Sequence, residues 1–169
     1  MADAPRIVRF DGQDAVGPAD LVAFWRREAE MPPEVAEQRI GEVHLVALDG
    51  RKLVGVSSAY LEYDAQLRLP MWHYRALVAA SHRRSAIALN LALAGRDDLR
   101  ERFVSGADRR APGILYEVEN EELMRGAPDA LWMPTDFTFI GENRYGHHVR
   151  VHWFPGALAP RPPAPQGST

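Results

Sequence analysis

Residues 71–94 impose the tightest constraint on how this chain can fold. Residues 71–78 (MWHYRALV) are apolar, aromatic and free of breakers, which reads as a buried strand. Residues 85–94 (SAIALNLALA) are built mostly from Ala and Leu, the strongest helix formers, so a helix is expected there. It should continue past Gly95, because Leu99 and Phe103 keep an i, i+4 spacing. A strand feeding a helix through a short turn leaves about four backbone N–H groups unpaired at the helix start. Together with the positive end of the helix dipole, those groups form a cradle for a phosphate or another anion. Ser85, Ala86 and Ala88 are small enough to let a ligand approach the backbone, and Arg83 and Arg84 add cationic forks at the mouth. The turn over residues 78–88 is therefore a candidate anion site, best suited to a pyrophosphate. The competing reading is an ordinary junction whose arginines face water.

The rest of the chain supplies an α/β frame for that junction. Residues 6–10 (RIVRF) read as a short strand and residues 11–17 as a turn-rich connection. Pro18 suits the first turn of a helix, and residues 19–30 carry an apolar stripe of Leu21, Val22, Phe24 and Trp25. Pro32 and Pro33 end that helix, and residues 34–40 begin another. Residues 42–48, the turn pair Asp49 and Gly50, and residues 51–63 form the strongest hairpin signal in the chain. After the central helix, residues 105–113 read as a loop, 114–118 (ILYEV) as a strand and 120–124 as the start of a short helix. Residues 135–140 and 148–154 alternate polar and apolar side chains and read as an antiparallel pair around the loop 141–146. The end, residues 157–169, is Pro-rich and is expected to be a disordered tail beyond a single domain over residues 1–156.

Composition removes several function classes. The formal charge is −3, which gives no global attraction to nucleic acid or to acidic membranes, so neither is an expected partner. There is no cysteine, hence no disulfide, no thiolate zinc site and no cysteine nucleophile. The first ten residues lack a signal-peptide core, and no apolar run approaches the roughly 20 residues of a membrane span, so the expected compartment is the cytoplasm. His147, His148 and His152 crowd together, but on a strand His148 and His152 lie about 13 Å apart at about 3.3 Å per residue. That is too far for one zinc ion at about 2.0–2.1 Å per ligand without a third element, so no metal is expected.

The order V-x-A-x-H-R-R-x-A-x-A over residues 78–88 resembles the acyl-coenzyme A loop of the GNAT N-acetyltransferase superfamily, usually V-x-P-x-[aromatic]-R-G-x-G-x-[G/A]. Val78, Arg83 and Ala88 match, and His82 occupies the position that is often aromatic. Ala80 replaces the common proline, Arg84 a frequent glycine and Ala86 the usual central glycine. The order of elements also looks like the full GNAT architecture, a mixed, mostly antiparallel twisted sheet with helices on both faces. The resemblance implies acyl-CoA, most simply acetyl-CoA, as cosubstrate, and a small-molecule or peptide amine as acceptor. It places the cofactor in a gap between the strand ending at Val78 and the strand at 114–118. The backbone near Leu77 and Val78 would pair with the pantetheine arm, with Asn120 as a further partner. Arg83, Arg84, Ser85, Ala86, Ile87 and Ala88 would hold the pyrophosphate. The acceptor pocket would be formed by the helical segment 19–40 and the loop 141–146.

Acyl transfer to an amine needs a neutral nucleophile, a polarised thioester carbonyl and a path for the leaving sulfur. The acid is the most dispensable part, since thiol pKa values lie near 8.5. His73, Tyr74, Glu117 and Glu119 on or beside the two strands are the candidate catalytic groups. Alternation puts Trp72, Tyr74 and Val78 on one face of their strand and His73, Arg75 and Leu77 on the other, and the sequence leaves open which face lines the gap. Many GNAT members take their general acid from a tyrosine on the helix after the fifth strand. Here no tyrosine falls between Tyr116 and Tyr145, and Trp132 stands near that place. The expected function is an acyl-CoA-dependent N-acyltransferase. The alternative is a GNAT-like module that binds CoA or another protein without turnover. A homodimer is compatible with either.

Overall fold

The computed structural model describes residues 4–11 and 16–162. Eight strands form one sheet in the order β1-β2-β3-β4-β5-β8-β7-β6. The strands are β1 (Arg6–Arg9), β2 (Val43–Asp49), β3 (Lys52–Asp64), β4 (Leu69–Val78), β5 (Gly113–Val118), β6 (Leu131–Trp132), β7 (Phe137–Glu142) and β8 (His148–Trp153). Between them run α1 (Pro18–Ala29), α2 (Pro33–Arg39), α3 (Ile87–Ser105) and α4 (Glu121–Gly126). Every neighbouring pair is antiparallel except β4 with β5. That one parallel contact follows from the α3 crossover, because parallel strands need a long connection.

Helices cover both faces. Ala47 of β2 pairs with Gly55 of β3 on the side where α3 lies. A Cβ on Gly55 would stand 3.0 Å from Ile87 Cγ2 and 3.1 Å from Leu91 Cδ1. The absent side chain lets the first turns of α3 settle onto the sheet. Val46 and its partner Val56 project to the opposite face. They share one core with Leu21, Phe24 and Trp25 of α1 and Ala36 of α2. Full burial of each large apolar side chain contributes roughly 1.5–3 kcal/mol. His44 of β2 also ties down α3. Burial holds its pKa below the usual histidine value, so the neutral ring donates from Nε2 to Asp98 at 2.7 Å. Arg102 and Arg9 pair with the same carboxylate.

Two local expectations change. The central helix begins at Ile87 rather than Ser85, because residues 80–82 form a 3-10 turn and Ser85 folds back onto it. The Ser85 hydroxyl donates to the His82 carbonyl at 2.6 Å, and its oxygen accepts the Ile87 N–H at 3.3 Å. Seven strands are expected from the sequence, and the structure has one more: Leu131 and Trp132 pair with Thr138 and Phe137 and add an eighth. Residues 157–162 carry no helix or strand, while 12–15 of the expected connection and 163–169 of the expected tail lie outside the described residues.

Gly113 of β5 lies tight against the backbone of β8. A Cβ there would lie 2.5 Å from the His152 carbonyl oxygen and 3.1 Å from Met71 Cε. The methionine can move and the strand carbonyl cannot. Gly113→Ala is therefore expected to cost about 3 kcal/mol, the upper part of the usual overpacking range, read as a lowered urea midpoint with unchanged slope.

Candidate functional site

The β4–β5 contact lasts three residue pairs: Trp72 with Ile114, His73 with Leu115 and Tyr74 with Tyr116. Beyond Tyr74, β4 stays paired with β3 as far as Val78 opposite Gly55, but its other edge has no strand partner. The two central strands therefore part at Tyr74 and Tyr116, and a gap opens toward their C-terminal ends. Ala76 shows the consequence: it is exposed although it belongs to a central strand. An unpaired backbone edge inside a sheet must find partners, and an extended amide-bearing ligand can supply them.

The gap leads to the start of α3. Ser85, Ala86 and Ala88 are exposed there, as are Arg83 and Arg84, which form no ion pair among the described residues. Among the described residues, the N–H groups of Ala86, Ala88 and Leu89 meet no backbone acceptor. The turn is preset from two sides. Glu28 of α1 accepts the Ala80 N–H at 2.8 Å, and that bond, with Arg27, keeps its carboxyl below the usual range. Asp49 approaches His82 Nε2 at 3.3 Å. Ile87 differs from its neighbours, because its side chain is buried beneath Gly55 and only its backbone reaches the turn. Val78 shares the α3 face with Gly55, and Leu77 turns to the other face with Val56. Asn120 caps α4: its Oδ1 accepts the Leu123 N–H at 3.0 Å, which leaves its amide nitrogen for any ligand.

The register separates the candidate catalytic groups. His73 and Glu117 lie on the face away from α3, and Tyr74 lies on the α3 face with Trp72, Leu99 and Phe103. His73 is 8% exposed, stacks on Tyr60 at 5.3 Å between centroids and holds Nδ1 3.9 Å from Glu62 Oε2. Its Nε2 is buried without a partner. Glu117 is exposed and accepts from Asn143 Nδ2 at 3.2 Å, so the β7–β8 loop does reach this face. Arg75 lies between them in sequence register, over the Tyr60 ring and 3.3 Å from Glu42. Tyr74 has an unpartnered buried hydroxyl, and burial drives its pKa well above the usual phenol value. Glu119 is exposed beyond the end of β5.

Sequence reasoning passed over Glu62, Tyr60, Tyr116 and Arg150. All four gain their places through strand pairing. His148 meets Phe139 edge-on at 5.0 Å between centroids, and His152 sits between Phe137 and Phe154. Among the described residues, no group of three or more histidine or carboxylate side chains could hold a metal ion, and no helix is long and apolar enough to cross a membrane.

No protein-family model matches the sequence, and no curated protein matches it. Solved structures do match. A GNAT-family acetyltransferase from Streptococcus pneumoniae is 12% identical and aligns over 89% of this chain and 99% of its own, with a TM-score of 0.57. Aminoglycoside 6'-acetyltransferase type Ii is 19% identical over 93% of this chain and 99% of its own, with a TM-score of 0.57. The AtaT toxin, solved with acetyl-CoA and the C-terminus of its antitoxin AtaR, is 10% identical over 89% and 94%, with a TM-score of 0.56. These structures, at 10–19% identity, align along almost their whole length with a chain whose single sheet parts between β4 and β5: the chain has the fold of the GNAT N-acetyltransferases.

Proposed function

We propose that this chain is an acyl-CoA-dependent N-acyltransferase, acetyl being the group transferred, acting on a small-molecule or peptide amine. The observation that carries the reading is the parted β4–β5 edge, with exposed Ala76 leading to the small-residue start of α3. The free N–H groups there and the Arg83 and Arg84 guanidiniums suit a pyrophosphate. The unpaired β4 edge over residues 75–78, with the amide of Asn120, suits the amides of a pantetheine arm. When bound, the thioester supplies an activated acyl carbon and a sulfur that departs readily.

The protein's own contribution lies on the face away from α3. His73 Nδ1 stands 3.9 Å from Glu62 Oε2, and its buried Nε2 has no partner, a costly state that an amine N–H would relieve. His73 accepts the proton that the attacking amine loses, Glu62 orients the ring and Tyr60 holds its plane. Glu117, held by Asn143, stands on the same face as a second carboxylate toward the acceptor. Tyr74 stays protonated and takes no part as a base, since burial disfavours its anion.

Thermal melting tests the cofactor. Acetyl-CoA at a hundred times its Kd adds about 2.7 kcal/mol to the folded state. At roughly 2–4 °C per kcal/mol, the melting temperature should rise by about 5–10 °C. Arg83→Ala should shrink the shift without abolishing it, since charge-assisted hydrogen bonds to phosphate contribute roughly 1.5–3 kcal/mol each. No shift at millimolar acetyl-CoA on folded protein would remove both the cofactor and the enzyme. A clear shift without turnover on a broad panel of amines would favour a binding module instead.

A further inference from the structure

The gap ends on a wall of rings. Strand pairing aligns Tyr74, Tyr116, Arg150 and Phe139 in one row across β4, β5, β8 and β7, where the central strands part. The Tyr116 ring stands 5.4 Å from Tyr74, 6.4 Å from Trp132 and 6.2 Å from Phe137, edge-on to each. Trp132 is fixed from two sides. Its Nε1–H donates to the Ala127 carbonyl at 2.9 Å, and the Arg150 guanidinium lies 3.7 Å from its ring centre. Arg150 is fully buried and donates to the carbonyls of Ala130 at 3.3 Å and Ala127 at 3.5 Å. The wall cannot swing aside without breaking these contacts.

The two faces of the sheet then divide the work. On the acyltransferase reading, on which this inference rests, the amine and His73 approach the thioester from the face away from α3. The acyl chain is left with the opposite face, where Tyr74, Tyr116 and Trp132 stand. We infer that Tyr116 and Trp132 set the acyl chain length, admitting acetyl and propionyl groups and excluding a hexanoyl chain. A close-packed wall of rings has no room for added methylenes, and overpacking it is destabilising.

Calorimetric binding of CoA, acetyl-CoA and hexanoyl-CoA to the full chain tests this without knowledge of the amine. The unmodified protein should bind hexanoyl-CoA at least about tenfold more weakly than acetyl-CoA, the scale on which misfit methylenes are rejected. Tyr116→Val and Trp132→Leu, each checked for folding by circular dichroism, should bring the two acyl-CoAs within about threefold while leaving CoA itself unchanged. Either folded variant suffices. Equal binding of both acyl-CoAs by the unmodified protein, or undiminished discrimination in a folded variant, overturns the inference. Failure of CoA to bind the unmodified protein at all removes the acyl-CoA reading, and the inference with it.

Discussion

His73→Gln is expected to lower turnover by about 10²- to 10⁴-fold, the range over which a positioned general base accelerates proton transfer. The side chain is buried on the face away from α3 where the strands part, with one nitrogen toward Glu62 and the other unpartnered. Glutamine keeps a polar side chain near the Tyr60 ring but has no lone pair basic enough to take a proton from an ammonium-like intermediate. The thermal shift with acetyl-CoA should therefore persist while turnover falls, because the groups proposed to hold the cofactor lie at α3 and along β4. Glu62→Gln should have a smaller effect, since in the proposed mechanism it orients the ring and does not meet the proton itself. Glu117→Gln serves as the competing test. Turnover in His73→Gln within threefold of the unmodified protein, with a large loss in Glu117→Gln, would transfer the base to β5.

The parts of this site that depend on local sequence were legible, and those that depend on register were not. Ala and Leu over residues 87–94 specify α3, and Asp49 with Gly50 specifies the β2–β3 hairpin, because helix propensity and turn chemistry act over a few residues. The parting of β4 from β5 is not written in either strand. It follows from a parallel pairing that stops at Tyr74 and Tyr116, more than 40 residues apart in the chain. Alternation correctly separated His73 from Tyr74 but could not say which side α3 would cover, a choice fixed by the close approach at Gly55. In the sequence Tyr116 is one more strand residue, and no tyrosine follows it before Tyr145, with Trp132 between them. Only the β5–β8–β7 register shows that Tyr116, Arg150 and Trp132 form one assembly. Ser85 misled by propensity: a small residue at the head of an Ala-rich run reads as helix, yet its hydroxyl competes for local backbone groups and delays the helix to Ile87.

Arg150→Ala is expected to cost about 3–5 kcal/mol of stability, the range for truncating a large buried side chain together with its hydrogen bonds. The guanidinium is fully buried, lies 3.7 Å from the Trp132 ring centre and serves the carbonyls of Ala127 and Ala130. Truncation leaves a cavity beneath the indole and takes a donor from both carbonyls, so packing and polar losses act together. At roughly 2–4 °C per kcal/mol, the melting temperature should fall by about 6–20 °C. Arg150→Met separates the two losses. Methionine fills the stem volume and keeps a polarisable contact with Trp132 but cannot donate, so its cost should be nearer about 1.5–3 kcal/mol, that of hydrogen bonds to a charged group, while the two carbonyls keep the Trp132 Nε1–H and the Phe139 N–H. Hydrogen exchange locates the effect: the amides of residues 127–136 should lose protection in both variants, while those of α3 and the β2–β3 hairpin follow global stability. Arg96 holds the far end of that segment through the Pro134 carbonyl at 2.7 Å, so the loosening should be greatest near Ala130 and Trp132 and fade toward Asp136. A melting temperature within 2 °C of the unmodified protein in Arg150→Ala would show that the segment is held by Arg96 and its own strand pairing, and that the wall behind Tyr116 does not depend on the buried guanidinium.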